Sequence, residues 1–166
     1  MIRAHLTRGR VLTLTAFAMV IAALTTTAVL LLDRTRQAEA EGTSRDSAQE
    51  ASKTLVPKVL SYSYQTLQAD IANATGAATG NFKQNLQALM TEVVQPTATS
   101  DNVVTKAAVT HTAVVEASAG DVVLLVLLSQ ESTSRNQPTP VVSPSSARVQ
   151  LHRDGDQWLI ADLQPL

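Results

Sequence analysis

Apolar positions fall into three regimes along the chain, and each predicts a different kind of element. From Val11 to Leu32 no residue is charged and none is Gly or Pro. A helix of that length rises roughly 33 Å, enough for a hydrocarbon core of about 30 Å, so the run reads as one transmembrane helix. The next regime has a helical period: Ala48, Ala51, Leu55, Val59 and Tyr62 recur three and four residues apart. A second stripe, Leu60, Tyr64, Leu67 and Ile71, carries that period to about Asn73, and Gly76 ends it. Thr79 or Asn81 then caps a third helix bearing Phe82, Leu86, Leu89 and Val93. Two prolines punctuate this half. Pro57 lacks an N–H and clashes with the carbonyl four residues back, which predicts a kink or restart, and Gln95-Pro96 is expected to close the helical half.

Beyond Pro96 the pattern becomes that of strands. Val109, Ala113 and Val115 share one parity in a Val- and Thr-rich run that ends at Ala119-Gly120-Asp121. Val122 to Leu128 is apolar throughout, too short to span a membrane and suited to a strand buried on both faces. Three helices cover only one face of a small sheet. The second face then needs the sheet's own curvature and the following loop, or else a partner or a pocket. Ser129 to Ser146, with Pro138, Pro140 and Pro144, reads as an exposed connection. Ala147, Val149 and Leu151 then alternate with Arg148, Gln150 and His152, and Asp154-Gly155-Asp156 turns the chain into Trp158 to Leu163, a hairpin signal. Helices followed by an antiparallel sheet define an α+β domain. The expected organisation is a basic stub over 1–10, the span over 11–32, a charged stalk or frayed helical extension over 33–46, and a folded domain over 47–166.

Charge orients this arrangement. Arg3, Arg8 and Arg10 precede the apolar run while all 14 acidic residues follow it, so the remainder carries −4 although the whole chain carries −1. Arg34 and Arg36 lie beside Asp33, so the positive-inside rule keeps the N-terminus in the cytoplasm and sends the domain out. A cleaved signal is the competing reading, since Ala38-Glu39-Ala40 has the small-x-small form. Its apolar core should however span about 7 to 15 residues and end without adjacent charges. Within the run Ala18, Ala22 and Thr26 make a stripe of small residues on which another membrane helix could pack. The acidic remainder lacks the Lys and Arg clusters that release phosphate counterions, which excludes nucleic acid as a partner class.

Candidate chemistry is sparse. The chain has no Cys, which removes disulfides, thiolate nucleophiles and Cys-ligated zinc. His5, His111 and His152 share no metal-ligand spacing with one another or with a carboxylate, and no Gly-rich phosphate loop or nucleophile elbow occurs. His111 shares parity with Val109 and Ala113, which makes it a candidate pocket acid or base beside the alternative of a structural histidine. Asp70 and Asp162 are the carboxylates set inside ordered elements, with helix capping and strand-edge pairing as their default roles. No catalytic, metal or cofactor residue is assigned.

Three stretches carry a family resemblance: Tyr62-Ser63-Tyr64-Gln65-Thr66-Leu67-Gln68-Ala69-Asp70, Thr79-Gly80-Asn81-Phe82, and Asp154-Gly155-Asp156-Gln157-Trp158-Leu159-Ile160-Ala161-Asp162-Leu163-Gln164-Pro165. In their order and spacing, and in the succession of stub, span, stalk, helices and strands, the chain resembles the actinobacterial Mce-associated membrane proteins of the mammalian-cell-entry (Mce) systems. The resemblance implies a nuclear-transport-factor-like cone of about three helices on a curved antiparallel sheet of about four strands, tethered outside the cytoplasmic membrane. It further implies a non-enzymatic accessory subunit, without cofactor, that stabilises an Mce lipid transporter through its protein subunits and through the membrane or its lipid. The signature positions Tyr62, Tyr64, Thr66, Leu67, Asp70, Gly80, Phe82, Gly155, Trp158, Asp162, Leu163 and Pro165 are then mainly structural. Pro57 departs from the family's pattern, which leaves the path of the first helix open. Assembly factors of type IV secretion have a periplasmic domain of similar layout. A secretion-type assembly factor, and a cone that binds a lipid or other apolar ligand, are therefore the alternative functions.

Overall fold

Ser44, Ala48, Ser52 and Val56 recur at every fourth position, and this stripe of mostly small side chains is the buried face of the first helix. The computed structural model describes residues 40–166, and the stub, the apolar run and the Ala18, Ala22 and Thr26 stripe lie outside them. Helix α1 covers 40–60. Ala51 and Leu55 flank the buried stripe and are only partly covered. The helix passes through Pro57 without restarting. The proline sits in its last turn, and the carbonyl it leaves without an in-helix donor belongs to exposed Lys53, on the helix's solvent side.

A two-residue strand, β1 (Tyr62–Ser63), separates α1 from α2 (Leu67–Gly76) and α3 (Gly80–Leu89). The helical half does not close at Pro96. A π-helical turn, Met90–Val94, leads into α4 (Gln95–Asp101), with Pro96 in its first turn. The Gln95 N–H reaches back to the Met90 carbonyl, five residues away. That wider register precedes the proline and lets the helix run on past it. Asn102, with φ of 52°, ends α4 in the left-handed conformation, and the Asn102 and Val103 amides both donate to the Ala98 carbonyl.

The sheet is an antiparallel meander in the order β1-β2-β3-β4-β5, with β2 Val104–Ala117, β3 Asp121–Thr133, β4 Val141–Asp154 and β5 Gln157–Pro165. It thus has one short strand more than the four expected. β3 and β4 run deep into the stretch read as a connection, leaving only 134–140 outside the ladder. The β4–β5 turn has a positive φ of 60° at Gly155 and none at Asp156, the pattern of a type II′ hairpin, which needs Gly first.

Register decides what faces the helices. Val122, Leu124, Val126 and Leu128 of β3 point inward with Val149 and Leu151 of β4 and Ile160 of β5. Leu124, Leu151 and Ile160 are fully covered, each contributing about 1.5–3 kcal/mol through removal from water. The other face of β3 grades from buried Val123 through half-buried Leu125 to Leu127 at 44% exposed. Among the described residues this strand is therefore closed on one face and partly open on the other.

No helix of the described residues is long and apolar enough to cross a membrane. Residues Glu41–Leu166 form one unit, an α+β domain with its helices against one antiparallel sheet.

Candidate functional site

The third signature stretch is far from the first two in sequence but lies with them along the seam between the helices and the sheet. In the first, the Asp70 carboxylate accepts the Ser63 N–H at 2.9 Å and the Thr66 hydroxyl at 2.8 Å, which folds β1 back onto α2. The Tyr64 N–H donates to the Val103 carbonyl at 3.0 Å, and Leu67 is buried beneath the turn. Tyr62 pairs with Thr105 of β2 and packs against the core.

The second and third stretches are stitched together directly. The Thr79 N–H donates to the Ile160 carbonyl and the Ile160 N–H to the Ala77 carbonyl, both at 2.9 Å, so the α2–α3 link lies against β5 as a parallel bridge. Gly80 enters α3 with φ of 58°, a conformation that favours Gly over any residue with a Cβ. Phe82, two residues into α3, packs against the core. At the other end of β5, Trp158 is buried, and its indole N–H donates to the Ser47 hydroxyl of α1 at 3.1 Å.

Between these anchors lies a cleft of about 490 Å³. Its helical wall is Phe82, Leu86, Leu89, Met90 and Val94, so the π-helical turn forms part of it. Leu163 and Pro165 of β5 and Val59 and Leu60 of α1 add apolar surface. Polar groups enter only from the β1–β3 side, as Tyr62, Thr105, Gln130 and Ser132. Thr105 and Ser132 face each other in register with their hydroxyls 3.1 Å apart. Gln130 and Ser132 lie in the stretch whose prolines mark an exposed connection, so half of the cleft's polar side has no mark in the sequence pattern.

The candidate acid and base do not converge. β2 bulges at Thr110: Val109 opposes Leu128 while His111 opposes Leu127. The extra residue reverses the alternation, so His111 does not share Val109's face and is exposed on the sheet's outer side. Asp162 opposes exposed Gln150 on the same side and accepts from the Gln164 amide at 2.7 Å. Two strands separate β2 from β5, a spacing of about 14 Å, too far for proton exchange between the two groups. No cluster of three or more metal-binding side chains occurs among the described residues.

On that outer side Leu127, Pro144, Ser146 and Leu166 line a groove of about 370 Å³. The Arg148–Glu116 pair, at 3.8 Å and largely exposed, crosses β3 nearby and contributes little to stability.

The same cone occurs in solved proteins of secretion machines. An IcmL-like type IV secretion system protein from Legionella pneumophila superposes with a TM-score of 0.61 at 8% identity, covering 74% of this chain and 91% of that one. CagV, a VirB8 homolog from Helicobacter pylori, superposes with a TM-score of 0.58 at 11% identity, covering 71% and 95%. At such identities these likenesses establish the fold. In sequence, the outer membrane protein Rv1973 of Mycobacterium tuberculosis is 32% identical over 108 residues, which are 65% of this chain and 67% of that protein. The chain belongs to the same family as Rv1973. Uncharacterized protein Rv1362c of the same organism is 33% identical over 108 residues, and there the chain spans about half, 49%, of the relative's length. No family model matches the chain.

Proposed function

We propose that residues 41–166 are a non-enzymatic contact module, held at a membrane by the run 11–32, that helps assemble a multi-protein complex of the cell envelope. The observation that carries this reading is the cone itself, shared over most of its length with components of type IV secretion systems. The outer-face groove at Leu127 and Leu166 is the surface offered to a partner, since these leucines are 44% and 73% exposed. The arrangement of His111 and Asp162 on separated strands supports a binding role over acid–base chemistry.

A tagged full-length copy, cross-linked in its native cells and purified in mild detergent, should retain the same set of envelope proteins in each preparation. Purification of the chain alone, with the abundance of all envelope complexes unchanged on its deletion, would sink the proposal.

A second reading is an accessory subunit of an Mce-type lipid transporter. It is favoured by the position of the signature stretches on one seam, where a hydrogen bond joins the second to the third and residues of all three pack on one core. The identity of the retained proteins separates the two: secretion components support the first, Mce subunits the second. The domain is placed outside the cytoplasm in both. The Ala18, Ala22 and Thr26 stripe is part of the contact if replacing the run by an unrelated apolar one of equal length abolishes retention.

A further inference from the structure

We propose that the cleft beneath α3 binds a single-chain amphiphile whose head group is uncharged. Three observations lead there. The cleft's size, about 490 Å³, and its mainly apolar lining match a small-molecule site with a few polar groups that fix orientation. The polar groups gather at one side: Tyr62, Thr105 and Ser132 lie in one register row across β1, β2 and β3, and Gln130 stands one inward-facing position further along β3. The opposite side, from Phe82 to Val94 and across to Leu163 and Pro165, offers aliphatic and aromatic surface only.

The head group follows from what this polar side can do. Among the described residues no lining side chain is Lys, Arg, His, Asp or Glu, so a carboxylate or phosphate would lose its hydration without gaining a counter-charge there. One of the Thr105 and Ser132 hydroxyls donates to the other at 3.1 Å, which leaves the second proton and free lone pairs on both for a ligand. The side chains of Gln130 and Tyr62 have no hydrogen-bond partner among the described residues, leaving an amide and a phenol to meet hydroxyl or ester groups. A monoacylglycerol-like ester has that chemistry. Leu89, 51% exposed on the helical rim, gives an acyl chain an apolar path in. The π-helical turn supports a binding role for this wall, since such turns concentrate at functional sites. The inference stands apart from the partner proposal, because a ligand can occupy the cleft whether or not the outer face is covered.

The full-length chain, held in phosphatidylcholine nanodiscs, is irradiated with a long-chain monoacylglycerol carrying a diazirine on its chain, and in parallel with the fatty acid of the same chain. The monoacylglycerol should label peptides spanning 82–94 and 163–165 about tenfold more than the fatty acid does. Met90→Trp, which fills the cleft, should remove that labelling. Gln130→Lys, at a half-buried position that tolerates a long side chain, should invert the preference towards the fatty acid. Unfolding midpoints confirm that each variant is folded, and Gln130→Lys decides the matter should Met90→Trp fail to fold. Equal labelling by both probes, labelling confined to residues outside the cleft, or an unchanged preference in Gln130→Lys overturns the proposal.

Discussion

At the scale of single residues, the positions that matter most here are polar groups with one job each. Asp70 binds two donors seven and four residues before it, both on one carboxylate oxygen. Asp70→Ala should therefore cost about 1–2 kcal/mol in urea unfolding, and Asp70→Asn, which keeps one acceptor, about half of that. The Trp158 to Ser47 bond is the matching tie at the far end of the seam. Trp158→Phe loses core packing besides the bond, and Ser47→Ala loses the Ser47 bond to the Ser44 carbonyl, so each should cost about 1 kcal/mol or more, and the double variant should cost less than their sum by about the 0.5–1.5 kcal/mol of the shared bond, which a double-mutant cycle reads directly. Gly155 and Trp158 leave marks in residue type through turn chemistry and aromatic bulk, whereas Asp70, expected to cap a helix or pair at a strand edge, instead ties β1 to the start of α2. Ser44 and Ser52 leave no such mark. They are as buried as any valine, with their hydroxyls bonded to the Ala119 and Gln49 carbonyls, and a serine at helical spacing carries no hydrophobic signal.

Those serines acquire meaning at the scale of elements, because Ser44, Ala48 and Ser52 let α1 lie close against the sheet. Ser52→Ala should change stability by less than about 0.5 kcal/mol, since the lost bond is local and Ala is the better helix former. Ser52→Leu, which forces the helix outward, should cost about 1–3 kcal/mol. The helix also guards the sheet edge. β1 pairs only with Val104 and Thr105, so the rest of β2 is an edge strand. Its exposure is met by the Ser61 hydroxyl on the Ala107 N–H, by the Gln49 amide on the Thr112 carbonyl, and by bulges at Thr110 and Val115. Bulges are also why the face of His111 could not be read: strict alternation fails wherever a strand holds one residue extra. The π-helical turn hid the end of the helical half in the same way. It holds one residue more than an α-turn and supplies the register that admits Pro96, so deleting exposed Thr91 sets that proline inside a plain α-helix and should kink or break 80–101 there. Helical content by circular dichroism should fall, and the labelling of Phe82 to Val94 with it, because the wall of the cleft has been reshaped.

Across the whole molecule, the two faces of one sheet do different work, and β3 separates them at a resolution of one residue. Leu127 and Leu128 are chemically identical neighbours, yet Leu128 is 3% exposed and belongs to the core while Leu127 is 44% exposed beside Leu166. The unbroken apolar run from Val122 to Leu128 made both look alike, since a strand covered on two sides and a strand with one binding face have the same composition. The pair therefore offers a comparison in which only direction differs. Leu128→Asp buries an unpaired carboxylate among Val109 and its core neighbours, and should lower stability by about 3 kcal/mol or more, with loss of every function together. Leu127→Asp adds a charge to a surface that already carries Arg148 and Glu116, and should shift stability by no more than about 0.5 kcal/mol. If the outer face is the contact, the Leu127→Asp protein stays folded and at the membrane but no longer retains envelope partners on purification. Undiminished retention by the folded Leu127→Asp variant would move the contact away from the sheet, either to the helical side or to the apolar run 11–32.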